Sequence, residues 1–240
     1  DAWPVVGEPY LNWVIEDKFA AGRPAWDIAG GATFVRNAAP YERLKLRMVN
    51  GPHSAFAYLG AMLGLRTNSE AAATPALRRY VDDMMRLEIA PTLRGIPESG
   101  LDEYRLRFLA RVANPALPHL TRQIAMDGSQ KVPQRLLAAI RDRLRRGDDF
   151  HRLALAVAAW LHYLRGRDEP GNTYSIQDPL ADALASLLAR ADVAAAASAP
   201  SQAAQRRAMV LAGFRPVFGD MARKAVFVDA LAEQLERLRT

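Results

Sequence analysis

The sequence predicts a mainly α protein, a multi-helix domain preceded by a small β segment. Three observations carry this. From residue 41 to residue 238 apolar residues recur at helical spacing. Runs of β-prone residues, Trp13-Val14-Ile15-Glu16 and Ala32-Thr33-Phe34-Val35-Arg36, occur only before residue 40. Between them Gly22, Pro24, Gly30 and Gly31 punctuate the chain, which reads as two strands joined by an irregular connection.

The helical part begins at Pro40-Tyr41-Glu42, with proline near the first turn and an acid close behind. Asn50-Gly51-Pro52 predicts an interruption, because Pro52 lacks an N–H and disfavours a helical Gly51. One helix is expected to end near Asn50 and the next to start at about Pro52, aiming free backbone N–H groups at a cleft, or a kink to serve the same purpose. Gly64 closes that second helix. Thr74-Pro75 opens a helix to about Ile89, with Leu77, Val81, Met84 and Met85 in phase and Pro91 as its stop. Another helix covers residues 101–112, and a short one residues 118–125. Asp127-Gly128 is a turn signal, placing Lys131 at or just after a loop. Leu136, Leu137, Ile140 and Leu144 mark the buried face of the following helix. Residues 150–164, apolar and alanine-rich, read as a central helix buried on most sides. A polar loop over residues 166–177 leads to a helix over residues 179–192. The Ala/Ser-rich stretch 193–205, with Pro200, reads as a helix break or a loose connection. Residues 208–213 and 220–238 complete the chain, the last carrying Val228, Leu231, Leu235 and Leu238 on one stripe.

Composition narrows the function classes. The 240 residues are 50% hydrophobic and 24% charged, the balance of a globular protein with a sizeable core. With no cysteine there is no disulfide, thiolate metal site or cysteine nucleophile. No apolar run reaches the ~20 residues of a membrane-spanning helix. The net charge of +6 raises nucleic acid as a partner. The basic residues are mostly interleaved with acids, as in Arg141-Asp142-Arg143-Leu144-Arg145-Arg146, and no aromatic-basic alternation forms a base-stacking platform. The expectation is therefore neither a nucleic acid nor a membrane partner. His151 and His162 lack a His-Glu-x-x-His setting, so no metal site is expected.

The chemistry-bearing stretch is Lys45-Leu46-Arg47-Met48-Val49-Asn50-Gly51-Pro52-His53-Ser54. In an α-helix Asn50 lies about 140° from Lys45 and His53 about 80°, so all three share one side. A neutral lysine takes a proton from a hydroxyl, an amide NH2 donates to the oxygen as charge develops, and a histidine orients the substrate. On spacing alone the plainer reading is favoured: an exposed lysine, a turn and an ordinary histidine.

The pattern Lys45-x4-Asn50-x2-His53-Ser54, followed by Ala57-Tyr58-Leu59-Gly60, resembles the signature of the mannitol dehydrogenase family of long-chain polyol dehydrogenases, which includes fructuronate reductase (mannonate oxidoreductase). Two further stretches agree: residues 123–135 around Asp127-Gly128-Ser129-Gln130-Lys131, and Trp13-Val14-Ile15-Glu16-Asp17 with Gly22-Arg23-Pro24-Ala25-Trp26. The resemblance runs from about Glu8 to Leu164 and more loosely beyond.

It implies a helical domain like the C-terminal domain of 6-phosphogluconate dehydrogenase. Residues 1–40 would be a remnant of an N-terminal nucleotide-binding Rossmann domain, and residues 41–240 the helical substrate and catalytic domain. It implies a cytoplasmic oxidoreductase using NAD, with NADP an alternative, on a polyol or sugar acid of the mannitol/fructose or mannonate/fructuronate type. Lys45 would be the general acid/base, Asn50 the donor to the alkoxide, and His53 the holder of a substrate hydroxyl. Gln123 and Lys131 would bind the sugar. Glu16 and Arg23 are further candidates, while Asp127 and Ser129 equally well shape the turn. Leu120, where many relatives have arginine, weakens anion recognition at that point. Because no Gly-x-Gly-x-x-Gly stands at a strand-to-helix turn, the chain is expected to begin partway through a larger protein. The rival reading is a helical interaction module that binds an acidic partner without catalysis.

Overall fold

The computed structural model describes residues 2–4, 11–95 and 98–238, without the side chains of Glu98 and Ser99. Glu8, where the resemblance starts, lies outside the described residues. The chain divides into two compact units, Asp1–Lys45 and Leu46–Thr240.

In the first unit β1 (Val14–Glu16) and β2 (Thr33–Val35) pair in parallel, Val14 opposite Thr33 and Glu16 opposite Val35. A parallel pair needs a crossover of a dozen or more residues. Residues 17–32 supply it and hold one helical turn, α1 (Trp26–Ala29), where an irregular connection was expected. Aromatic rings hold the crossover down: Trp13 stacks on Trp26 with centroids 5.2 Å apart, and Phe19 meets Phe34 edge-on at 5.6 Å. The guanidinium of Arg23 lies over Phe34 and donates to Asp17 and Asp27 at 3.2 and 3.3 Å. Glu16 accepts from the Ala38 N–H at 3.1 Å, next to the start of α2 (Ala39–Lys45). A carboxylate there satisfies an orphan donor and complements the helix dipole. Both charged residues thus hold the local fold.

The second unit opens with a π-helical turn, Leu46–Asn50, and α3 (Gly51–Met62). Of the two alternatives, the break is absent and the chain stays helical through an irregular π turn: Asn50 is right-handed helical, at φ −69° and ψ −36°. Pro52 cannot donate, and the i→i+5 bonding of the π turn absorbs its ring without ending the helix. No free helix N-terminus is therefore turned outward at Asn50. Along α3 every residue except His53 is buried. Small residues make this possible: a Cβ at Gly60 would stand 3.0 Å from Thr121 and 3.1 Å from Ala71. Gly64, at φ +73°, ends the helical stretch as expected.

Next comes a helix that the sequence reading passed over, α4 (Asn68–Ala73). Thr67 and Glu70 form a reciprocal capping box at its start. Then follow α5 (Pro75–Asp83), a π turn over Met84–Ile89, a 3-10 turn Ala90–Thr92 and α6 (Glu98–Val112). The two short helices α7 (Thr121–Ala125) and α8 (Gly128–Val132) flank Asp127, left-handed at φ 55°. Lys131 sits just after the Asp127 turn and already inside a helix, because α8 runs into a third π turn, Pro133–Leu137, and α9 (Ala138–Leu144).

Helix α10 (His151–Tyr163) is buried along most of its length, as expected, and packs between α3 and α14 (Ala225–Arg237). Helices α11 (Ala181–Ala196) and α12 (Pro200–Ala212) pack together, broken only at residues 197–199, where Pro200 starts the new helix. The turn α13 (Arg215–Phe218) leads towards α14.

Glu88, only 1% exposed, anchors the start of α10. Its carboxylate accepts from the backbone N–H of Arg152 at 2.9 Å and of Leu153 at 2.8 Å. Burial raises its pKa against the lowering effect of these bonds. Glu88→Ala should cost about 2–4 kcal/mol in urea unfolding, because two amides lose a charged acceptor. Glu88→Gln should cost less. The folded protein holds this proton more tightly than the unfolded chain. The corresponding stability is full below the unfolded carboxyl pKa and is lost as pH rises through the folded value.

Candidate active site

Lys45 is exposed and is the last residue of α2. Asn50, half-buried, ends the first π turn, and His53 follows within the first turn of α3. π turns occur disproportionately at functional sites. Here two of them meet. A Cβ on Gly51 would stand 3.0 Å from the Arg135 carbonyl in the Pro133–Leu137 turn, so glycine allows this close approach without displacing the neighbouring backbone. Across the same contact Arg135 Nη1 donates to Ser54 Oγ at 3.1 Å. The Tyr58 hydroxyl, buried one turn further on, makes no hydrogen bond of good geometry, and burial pushes its pKa up.

His53 meets His119 and Phe108 edge-on, each at 5.8 Å, in a crevice that also includes Val49 and Arg111. Asn68, 1% exposed, ties this arrangement together. Its Nδ2 donates to the His53 carbonyl at 3.2 Å, and its backbone N–H donates to the His119 carbonyl at 2.9 Å.

The second motif is built by its own turn. The Asp127 carbonyl accepts from the N–H groups of Gln130 and Lys131, both at 3.0 Å, and its N–H donates to Gln177 at 2.9 Å. Ser129 donates to Asp178 through its N–H at 2.8 Å and its hydroxyl at 2.6 Å. Asp127 and Ser129 thus shape the loop. Lys131 Nζ donates to the Ile124 carbonyl at 3.3 Å, next to Gln123. Burial lowers the Lys131 pKa, and the positive charge of Arg135 lowers it further. Gln123 is exposed on α7 and lines a pocket of about 500 Å³ with Arg122, Met126, Tyr163 and Tyr174. Within the second unit, then, His53 and Gln123 face separate hollows, and the Ser54–Arg135 bond connects the helix of His53 to that of Lys131. Sequence reasoning gave no role to Asn68, Arg122 or Arg135. Only the quoted motif around Arg135 pointed to one of them.

Residues 37–239 match the family model described as mannitol dehydrogenase C-terminal domain. The chain belongs to the mannitol dehydrogenase C-terminal domain family. Among the relatives of this family, D-mannonate oxidoreductase of Escherichia coli (strain K12) is 46% identical over 75% of this chain and 37% of its own. An uncharacterized oxidoreductase of the same organism, YeiQ, is 42% identical over 96% of this chain and 45% of its own. Pseudomonas fluorescens mannitol 2-dehydrogenase, solved as a ternary complex with NAD and D-mannitol, superposes with a TM-score of 0.85 at 35% identity. That match covers 100% of this chain and 46% of the solved one. The chain thus spans less than half the length of these relatives. Among the described residues no helix is long and apolar enough to cross a membrane.

Proposed function

We propose that this chain is the substrate and proton-transfer part of an NAD-dependent secondary-alcohol oxidoreductase acting on a linear polyol or sugar acid. The observation that carries this reading is the likeness, over the whole chain, to a mannitol 2-dehydrogenase solved with NAD and D-mannitol. Residues 1–40 would belong to the nucleotide-binding domain and residues 41–240 to the substrate domain.

The described residues do not fit the dinucleotide itself. They hold two three-residue strands and no glycine-rich strand-to-helix turn to cradle phosphates. The candidate residues they carry belong to the polyol end of the reading. In this reading Lys45 takes the proton of the reacting hydroxyl, and returns one when the ketone is reduced. The Asn50 amide donates to the oxygen as it gains negative charge. His53, fixed through its backbone by Asn68, holds a neighbouring hydroxyl. Gln123 and Lys131 bind hydroxyls further along the sugar.

The reading is tested with the full-length protein, following NADH absorbance with D-mannitol and D-mannonate. Turnover on at least one is expected, and turnover on neither would overturn it. Asn50→Ala should slow oxidation and reduction alike by about 10²–10³-fold, the usual effect of removing one donor to a developing oxyanion. A variant unchanged in both directions would remove Asn50 from the mechanism.

A further inference from the structure

The pocket at Gln123 has a feature that a binding site for neutral polyols does not need. Its volume, about 500 Å³, falls in the ~300–1,000 Å³ range of small-molecule sites. Arg122 is the only charged residue in its described lining, and Gln123, Ser175 and Gln177 bring amide and hydroxyl groups. The guanidinium is held in place from two sides. It lies 4.5 Å over the Tyr174 ring, which stacks on Tyr163 at 5.2 Å and donates through its hydroxyl to the Tyr163 carbonyl at 3.0 Å. Asp168 lies behind it, its side chain 1% exposed against 48% for Arg122.

That ion pair is loose. The Asp168 carboxylate already accepts from the Asn172 N–H at 2.6 Å and from Asn172 Nδ2 at 3.1 Å, while Arg122 Nη2 stands 3.5 Å away. An arginine has five N–H donors in a planar fork suited to two-pronged carboxylate binding. Asp168 engages one of them, and half of the side chain faces solvent at the pocket. The aromatic platform fixes its orientation in advance, which lowers the entropy cost of recruiting it.

We propose that Arg122 binds the carboxylate of a linear sugar acid at the end far from the reacting carbon, with Gln123, the residue this pocket shares with the polyol reading above, meeting the adjacent hydroxyl, so that this protein favours a hexonate over the neutral hexitol. The assignment rests on the dehydrogenase reading above and adds the substrate class to it. Leu120, apolar at the same pocket, leaves Arg122 as the anion-binding group there.

The test uses the full-length protein, with D-mannonate and D-mannitol as substrates. The wild type should show the higher kcat/KM on mannonate. Arg122→Gln should lower that value about 10–10²-fold, mainly through KM, as expected for loss of a charge-assisted hydrogen bond. Its kcat/KM on mannitol should stay within about 3-fold. Arg122→Lys keeps the charge in front of Asp168 but not the fork, and should lose a smaller factor on mannonate with an unchanged melting temperature. Loss of equal size on both substrates would make Arg122 a strut for the 166–177 loop and overturn the proposal. Full mannonate turnover in Arg122→Gln would overturn it while leaving the dehydrogenase reading intact. Wild-type turnover on neither substrate would overturn both.

Discussion

Replacing Lys45 with alanine in the full-length protein is expected to cut alcohol oxidation by at least about 10²–10⁴-fold, the usual worth of a positioned acid or base. Ketone reduction should fall with it, because in the proposed reading the same side chain returns the proton. Binding of NAD should be little changed, since the described residues hold no phosphate cradle. The two effects are separable by measuring turnover and cofactor affinity on one preparation. Near wild-type turnover in this variant would take Lys45 out of the chemistry and remove the main support for proton transfer by this chain. A small amine added to the assay offers a further check. If it restores part of the rate, the missing element is the base and not the fold.

The second large effect is structural. A Cβ added at Gly128 would lie 2.1 Å from Trp160 Nε1 and 2.7 Å from its Cδ1. Trp160 is completely buried on α10, so the ring has no room to retreat. Gly128→Ala should therefore fall at or above the upper end of the ~1–3 kcal/mol range of overpacked cores. For a chain of this size that corresponds to a melting temperature lower by about 6–12 °C. The neighbours would pass the strain on. Asp127 and Ser129 hold the turn that starts α8, and Lys131 lies within it. Activity should fall together with stability. A variant as stable as the wild type would mean that Trp160 packs differently from the arrangement described.

The strong helical periods were readable in the chain. Residues 150–164 were expected as a buried helix, and α10 is one. Of the stripe Val228, Leu231, Leu235 and Leu238, the first three are buried in α14, and Leu238 caps its end half-buried. The π turns were not readable, because a single i→i+5 turn is too short to leave an apolar period, and Pro52 resembled a stop. Helix α4 was not expected: its only local signal is the Thr67–Glu70 capping pair, and six residues are too few to show amphipathic repetition. The catalytic candidates stood out because Lys45, Asn50 and His53 are close in sequence. Their supports did not. Asn68 reaches His53 from 15 residues away, Arg122 reaches Asp168 across 46, and Arg135 reaches Ser54 across 81. No local pattern encodes a partner at that separation. Such pairings arise only when α3 packs against α4 and α7, the Leu46–Asn50 turn meets the Pro133–Leu137 turn, and the 166–177 loop folds back beside α7.

Asn68 also offers an experimental handle. One buried residue is bonded to the main chain at both His53 and His119, yet it touches neither imidazole by these bonds. Its Nδ2 is a donor and its Oδ1 is enclosed without a hydrogen-bond partner. A side-chain amide in that position has a sheltered pair of protons, slow to exchange and well separated in a nitrogen-correlated spectrum. If His53 holds a substrate hydroxyl as proposed, a ligand there is expected to shift the amide signal through the carbonyl that Asn68 contacts. Binding could then be followed at a single resonance of the nitrogen-15-labelled protein, without turnover.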